Sequence, residues 1–159
     1  MKRSLSLVIC SLALFLSACD LIRPISNEQK AEAAAVEFFE RLSSGEYQRA
    51  AEMYAGDYAE LEYMNPLLPE EDHAALWRNA CGINGYQCLP ISQILEIEKF
   101  SLNEYHLKVQ FQNPDGSVFI LGPCCGADEG EMPHQDEFDV YMIERNDDFY
   151  IVSLPVFVP

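Results

Sequence analysis

The chain has 159 residues and a formal net charge of −16 at pH 7, with 26 Asp and Glu against 10 Lys and Arg. This length is typical of one domain with one hydrophobic core. So acidic a balance excludes nucleic-acid binding, which depends on cations that displace phosphate counterions, and disfavours electrostatic adsorption to anionic lipid.

The first 19 residues carry the most specific signal in the chain. Met1-Lys2-Arg3 is basic, an apolar stretch covers residues 5–15, and the run ends in Leu16-Ser17-Ala18-Cys19. The stretch is shorter than the roughly 20 apolar residues that span a bilayer. Small residues behind a basic start and an apolar stretch are typical of a signal-peptidase cleavage site.

This segment resembles the start of bacterial lipoprotein precursors, in which the cysteine thiol receives a diacylglyceryl group and becomes the mature N-terminus. The resemblance implies that residues 1–18 are a signal peptide and that Cys19 is lipidated. It implies a protein anchored by lipid to the cell membrane, on its extracytoplasmic side. An ordinary cleaved signal peptide with a chance cysteine and an uncleaved anchor are the alternatives, and both place the domain outside the cytoplasm.

Residues 19–25 contain Pro24 and no periodic pattern, which predicts a short lipidated tether. Residues 26–159 are then a single domain. Cleavage before Cys19 removes Lys2 and Arg3 and no acid, so the mature protein is more acidic still.

Apolar residues at helical spacing predict three N-terminal helices. They cover residues 26–45, 47–58 and 69–82. Ser26 and Gln29 have the spacing of a capping box at the start of the first helix. Gly56 interrupts the apolar stripe of the second, and Pro69 followed by three acids opens the third.

The second half changes to the alternation of a sheet. Tyr105, Leu107, Val109 and Phe111 alternate with polar residues, which predicts a strand with one buried and one solvated face. A turn signal at residues 113–116 predicts a hairpin. Its second arm and the other predicted strands are residues 117–121, 94–100, 138–144 and 149–157. Helices followed by antiparallel strands predict an α+β domain with the helices on one sheet face.

The segment Ala34-Ala35-Val36-Glu37-Phe38-Phe39, with Leu42 and Gly45 before Tyr47, Ala50 and Tyr54, is similar to the opening of the nuclear-transport-factor-2-like superfamily. This superfamily has the cystatin-like α+β cone. The resemblance implies that the three helices pack on a curved antiparallel sheet of four to five strands.

Some members of that superfamily are enzymes with an acid or a His and Asp pair inside the cone, and the sequence contains no convincing copy of such a pair. His106 alternates with the apolar set, His73 lies in a first helical turn and His134 lies in a loop, so all three are interpreted as surface residues. Candidates for the mouth of a cone are Tyr54, Asp57, Tyr58 and Tyr141, for which packing is the favoured interpretation.

Six cysteines leave four pairable thiols once Cys10 departs with the signal peptide and Cys19 carries lipid. The four are Cys81, Cys88, Cys124 and Cys125. An oxidising compartment predicts two disulfides, with three possible connectivities. A bond within the vicinal pair closes a strained ring, which favours two bonds that cross from the first pair to the second. Zinc, copper or redox use is the alternative, but the spacing lacks paired C-x-x-C hooks.

Residues 126–139 carry six acids and no Lys or Arg. Oxygen ligands at this density are typical of calcium sites, and His134, Asp136 and Asp139 are the candidate ligands. The ligand order of an EF-hand is absent, so a solvated loop without metal is the favoured interpretation.

These observations favour a membrane-tethered, non-catalytic binding or interaction module without a cofactor, whose partner is an envelope protein or a small ligand. The first alternative is an enzyme with the cone fold and an unrecognised site. The second is a calcium-binding envelope protein.

Overall fold

Residues 25–158 are described by the computed structural model; the predicted signal peptide, Cys19 and most of the tether lie outside them. Four helices precede six strands in this part of the chain. The helices are α1 (Asn27–Ser43), α2 (Tyr47–Glu52), α3 (Ala59–Met64) and α4 (His73–Gly82). The strands are β1 (Tyr86–Gln87), β2 (Ile91–Lys99), β3 (Glu104–Phe111), β4 (Phe138–Arg145), β5 (Asp148–Ile151) and β6 (Val156–Phe157).

The α+β class is confirmed. Strands β2, β3, β4 and β5 form an antiparallel sheet in that order, and β1 pairs with β6 in a separate two-stranded sheet. Helix α1 contacts both β2 and β5, the two outer strands, so it lies across one face of the larger sheet. No helix among residues 25–158 combines the length and the apolar composition needed to cross a membrane.

The capping box at the start of α1 is confirmed. The Gln29 N–H donates to Ser26 Oγ at 3.2 Å, and the Ser26 N–H donates to Gln29 Oε1 at 3.0 Å. The predicted apolar stripe becomes the buried face of the helix, formed by Ala31, Ala35, Phe38, Phe39 and Leu42. Local signals therefore fix both the start of this helix and the face it turns to the sheet.

The predicted helix over residues 47–58 was wrong in its extent. It ends at Glu52, and α3, which was not predicted, begins at Ala59, so residues 25–158 contain four helices instead of three. The chain after α2 pairs with the end of β5, where the Ala55 N–H donates to the Ile151 oxygen at 2.8 Å, and this pairing replaces the helix. At Gly56 a Cβ atom would lie 2.4 Å from the Val152 carbonyl oxygen, an approach that only glycine permits.

Two strand predictions were wrong. Residues 117–121 do not pair along β3, because β2 occupies one edge of β3 and β4 occupies the other; only an isolated bridge joins Gln112 to Val118. The predicted strand 149–157 leaves the sheet after Ile151, and its end forms β6 behind Pro155. The ladder is interrupted beyond Ile151 because the Tyr141 N–H donates to the Ser153 hydroxyl at 3.0 Å instead of to the β5 backbone.

An aromatic cluster fills the space beneath the helices. Trp77 is fully buried, and its ring centroid lies 5.7 Å from that of Phe38 and 5.1 Å from that of Tyr54. The Trp77 Nε1–H donates to Tyr58 Oη at 3.1 Å, and Tyr54 Oη donates to the Asp57 carbonyl oxygen. The sheet contributes buried apolar side chains, namely Leu107, Val109, Phe111, Phe138, Val140 and Met142.

Replacing Tyr58 by Phe removes the acceptor of the buried indole N–H. We expect the free energy of unfolding to fall by about 1–3 kcal/mol, the cost of a buried donor without a partner. Urea denaturation measures it. Tyr63→Phe is the control, since Tyr63 is 86% exposed and should change stability by less than about 0.5 kcal/mol; equal effects of the two substitutions would contradict the assignment.

Burial raises the pKa of the Tyr54 and Tyr86 hydroxyls above the ordinary tyrosine value, so both stay neutral in the fold. Their contribution to stability is complete below the unfolded pKa of about 10 and is lost as pH rises towards the folded pKa. We expect the free energy of unfolding to decline above pH 10. The decline should be shallower in Tyr54→Phe/Tyr86→Phe, as measured by denaturation at a series of pH values; an unchanged decline would show that these hydroxyls do not cause it.

Candidate functional site: the outer face of the sheet and its long loop

The sheet face opposite α1 displays polar and aromatic side chains. Alternation along β3 turns Leu107 and Val109 towards the core and places His106 and Lys108 on the other side. The antiparallel register aligns residues of β2 and β4 beside them. We call this surface the outer face; its residues are Gln93, Glu96, Glu98, His106, Lys108, Gln110, Asp139 and Tyr141.

At the centre of the outer face, an imidazole is held by two neighbours from β4. His106 Nε2 lies 2.7 Å from Asp139 Oδ1, and the imidazole stacks on the Tyr141 ring with centroids 4.9 Å apart. The Asp139 side chain is 51% exposed and Tyr141 is 47% exposed. The His106 side chain is 20% exposed between them. The group thus lies at the surface with its carboxylate and phenol exposed, and it suits contact with a partner better than chemistry in a water-excluded cleft.

Acidic groups dominate the outer face. Glu96 and Glu98 stand beside Lys108 and His106 in the sheet register, and Lys108 Nζ lies 3.8 Å from Glu137 Oε2. Carboxylates therefore outnumber the one lysine in these rows. Such a surface attracts a basic partner and repels an acidic one.

The residues predicted as calcium ligands have separate partners. Gln110 Nε2 donates to Asp136 Oδ2 at 2.9 Å, Asp139 contacts His106, and His134 Nδ1 lies 4.0 Å from Glu129. Over residues 25–158, no three His, Cys, Asp or Glu side chains form a group suited to a metal ion.

The long loop between β3 and β4 is ordered by its own hydrogen bonds. The predicted turn is present: the Asn113 N–H donates to the Ser117 oxygen, and the N–H and hydroxyl of Ser117 donate to the Asp115 carboxylate. These two bonds lower the pKa of Asp115. A bridge between Leu121 and Gln135 then closes the base of the loop beside the outer face.

The predicted disulfide connectivity was wrong for Cys81 and Cys88, which bond to each other. After α4 the chain reverses, with the N–H groups of Ile83 and Asn84 donating to the Asn79 oxygen and Gly85 at φ +92°. This reversal brings the two cysteines together, with their Cα atoms 5.4 Å apart. The short covalent loop fixes the end of α4 to the segment that leads into β2.

Cys124 and Cys125 are free thiols in the long loop, with their sulfur atoms 2.9 Å apart. The neighbouring Cys125 raises the pKa of the Cys124 thiol. A raised pKa disfavours the thiolate, which is the nucleophile and the metal ligand. Cys124 therefore lacks the lowered pKa that is typical of a redox-active thiol.

A thiol count distinguishes these assignments. On the mature protein, unfolded without reductant, we expect two reactive thiols, Cys124 and Cys125, because Cys81 and Cys88 are bonded. A colorimetric thiol assay measures the number, and peptide mapping locates them. Finding four thiols would contradict the disulfide, and finding none would show that the vicinal pair is also oxidised.

The packing interpretation was wrong for Tyr141, which is exposed on the outer face, and for Asp57, which is exposed before α3, where its carboxylate accepts from the Ala59 N–H. The other residues considered at the sequence level contribute to the packing. Tyr54 and Tyr58 belong to the aromatic cluster, and His73 stacks on Tyr58 with ring centroids 3.9 Å apart. The sequence did not reveal the contact between His106, Asp139 and Tyr141, because residues far apart in the chain become neighbours only through strand register. Alternation did indicate that His106 faces away from the core.

The sequence matches no protein-family model and no curated protein.

Proposed function

We propose that the protein is an extracytoplasmic lipoprotein, tethered to the membrane through Cys19, that acts as a non-catalytic interaction module. One contrast carries this proposal. The space between helices and sheet is filled by large buried side chains such as Trp77, Phe38 and Phe111, whereas imidazole, phenol and carboxylate groups stand on the outer face. An enzyme of the cone type would need its ionisable groups inside, in the position that the aromatic cluster occupies.

The partner that suits the outer face is an envelope protein with a basic surface. Glu96, Glu98 and Asp139 supply negative charge, while Tyr141 and His106 supply stacked rings that bury large area at small entropic cost. Tyrosine is among the residues that contribute most to protein interfaces. The outer face therefore combines an aromatic centre with an acidic surround.

We further propose that the domain is a member of the nuclear-transport-factor-2-like superfamily with its curved sheet. Two features support this assignment: helices precede an antiparallel sheet in the order that the superfamily has, and β2 carries two irregularities. The irregularities lie between Ile91 and Gln93 and between Ile94 and Glu96. Bulges of this kind bend a strand and increase its twist, as a curved sheet requires.

Replacing Cys19 by Ser tests the anchor. We expect the wild-type chain to be found in the membrane fraction. The Cys19→Ser chain has no thiol for the diacylglyceryl group and should accumulate as an unlipidated precursor. Mass spectrometry of the N-terminal peptide and metabolic labelling with a fatty acid give the readout. Cys10→Ser is the matched control and should be lipidated normally. A Cys19 without lipid in the wild-type protein would contradict the proposal.

Photo-crosslinking tests the outer face. A benzophenone amino acid at position 141 should give a discrete crosslinked envelope protein in cells, whereas the same change at Tyr63, which is 86% exposed on α3, should not. Glu96→Lys with Glu98→Lys should abolish the crosslink by removing the charge attraction. Equal products at both positions, or a crosslink that survives charge reversal, would contradict the proposed interface.

A further inference from the structure

The connection between β2 and β3 exposes two large apolar side chains. We call residues 100–103 the hairpin tip, where Phe100 is 70% exposed and Leu102 is 89% exposed. The Phe100 N–H donates to the Glu104 oxygen at 2.8 Å, so the connection is short and held by its own backbone. All four residues of the hairpin tip are uncharged.

Hydrogen bonds place the start of α1 beside the hairpin tip. Asn27 Nδ2 donates to Glu144 Oε1 at 3.1 Å, and the Glu144 N–H donates to the Asn103 oxygen at 2.7 Å. Tyr105 Oη donates to the same carboxylate at 3.0 Å and accepts from Lys99 Nζ at 2.9 Å. Glu144 thus fixes the N-terminus of the helix to this end of the sheet.

The chain that connects the domain to Cys19 leaves from this same end. Six residues, 20–25, separate Cys19 from Ser26, and an extended chain spans at most about 3.5 Å per residue. Ser26 therefore lies within roughly 25 Å of a lipidated Cys19. The far end of α1, with 17 residues, is about another 25 Å away at 1.5 Å per residue.

We propose that the hairpin tip docks on the bilayer that holds Cys19, with Phe100 and Leu102 inserted between lipid headgroups. This inference rests on the proposed lipidation. An anchored domain meets the bilayer at high local concentration, so two apolar side chains are sufficient for docking without a basic patch. Lys99 and Glu104 directly flank the hairpin tip, and Glu98 precedes Lys99; these charged groups limit its depth, because they remain at the aqueous surface.

Docking in this way orients the outer face. Phe100 lines a hollow of about 270 Å³ with Tyr141, Ile143 and Val152, so the apolar edge continues from the hairpin tip onto the sheet. Strands β2 and β3 both extend from the hairpin tip in the direction away from the membrane. The outer face therefore stands roughly perpendicular to the bilayer and is accessible to neighbouring envelope proteins.

Fluorescence quenching tests the docking in the full lipidated chain, reconstituted into phosphatidylcholine vesicles with brominated acyl chains. Leu102→Trp places an indole on the hairpin tip, while the native Trp77 is buried and serves as background. The matched control is Leu67→Trp, since Leu67 is 96% exposed. Leu67 lies towards the far end of α1, away from the hairpin tip. Its neighbour Asn65 bonds to Asn84 in the Cys81–Cys88 loop, and that loop shares a hollow with Leu42 at the far end of α1.

We expect strong quenching for Leu102→Trp and none above background for Leu67→Trp. Adding Phe100→Asp to Leu102→Trp should abolish the quenching, and replacing part of the lipid by anionic phosphatidylglycerol should not increase it. Absence of quenching at position 102, equal quenching at both positions, or quenching that persists with Phe100→Asp would overturn the proposal.

Flotation of the same vesicles separates this proposal from the proposed function. Protein that floats without quenching at position 102 is anchored but not docked, which overturns the docking alone. Protein that fails to float overturns the anchor and the docking together. A dimer in analytical ultracentrifugation that Phe100→Asp dissociates would assign the hairpin tip to a second copy of the chain and overturn membrane docking.

Discussion

The indole of Trp77, on α4, packs against α1 and the segment after α2, and the surrounding structure depends on its burial. Phe38 and Tyr54 pack against its ring, and Tyr58 accepts its N–H, so side chains from two other segments meet on one residue. Aromatic side chains bury more area than any others and prefer edge-to-face contacts of the kind found here. At Gly56 the chain lies close to the Val152 carbonyl oxygen, and this approach places Tyr54 and Tyr58 against the indole.

A filled interior determines where function can lie. The space between the helices and the sheet is closed by Trp77, Phe38 and Phe111. The imidazole and phenol groups lie on the other side of the sheet, where the strand register places His106 beside Tyr141. The proposed tether, the proposed docking at the hairpin tip and the proposed recognition by the outer face fit one arrangement, in which the domain would present a surface at a set distance from the bilayer.

Local patterns predicted much of this fold, and the errors have physical causes. The capping box at Ser26 and the alternation from Tyr105 to Phe111 depend on neighbouring residues, so sequence revealed both. The end of α2 depends on the pairing of Tyr54 and Ala55 with Ile151, and the bond between Cys81 and Cys88 depends on how the chain reverses after α4. Such contacts are decided by tertiary structure, as is the pairing of His106 with Asp139 on the outer face.

The most direct test of whether the interior is closed is hydrogen exchange at the Trp77 indole. Trp77 is the one tryptophan of the chain, so its Nε1–H gives a single indole signal in a ¹H–¹⁵N NMR spectrum. A buried, bonded donor should exchange only on global unfolding, with protection equal to the free energy of unfolding. Exchange as fast as that of an exposed indole would contradict a closed interior.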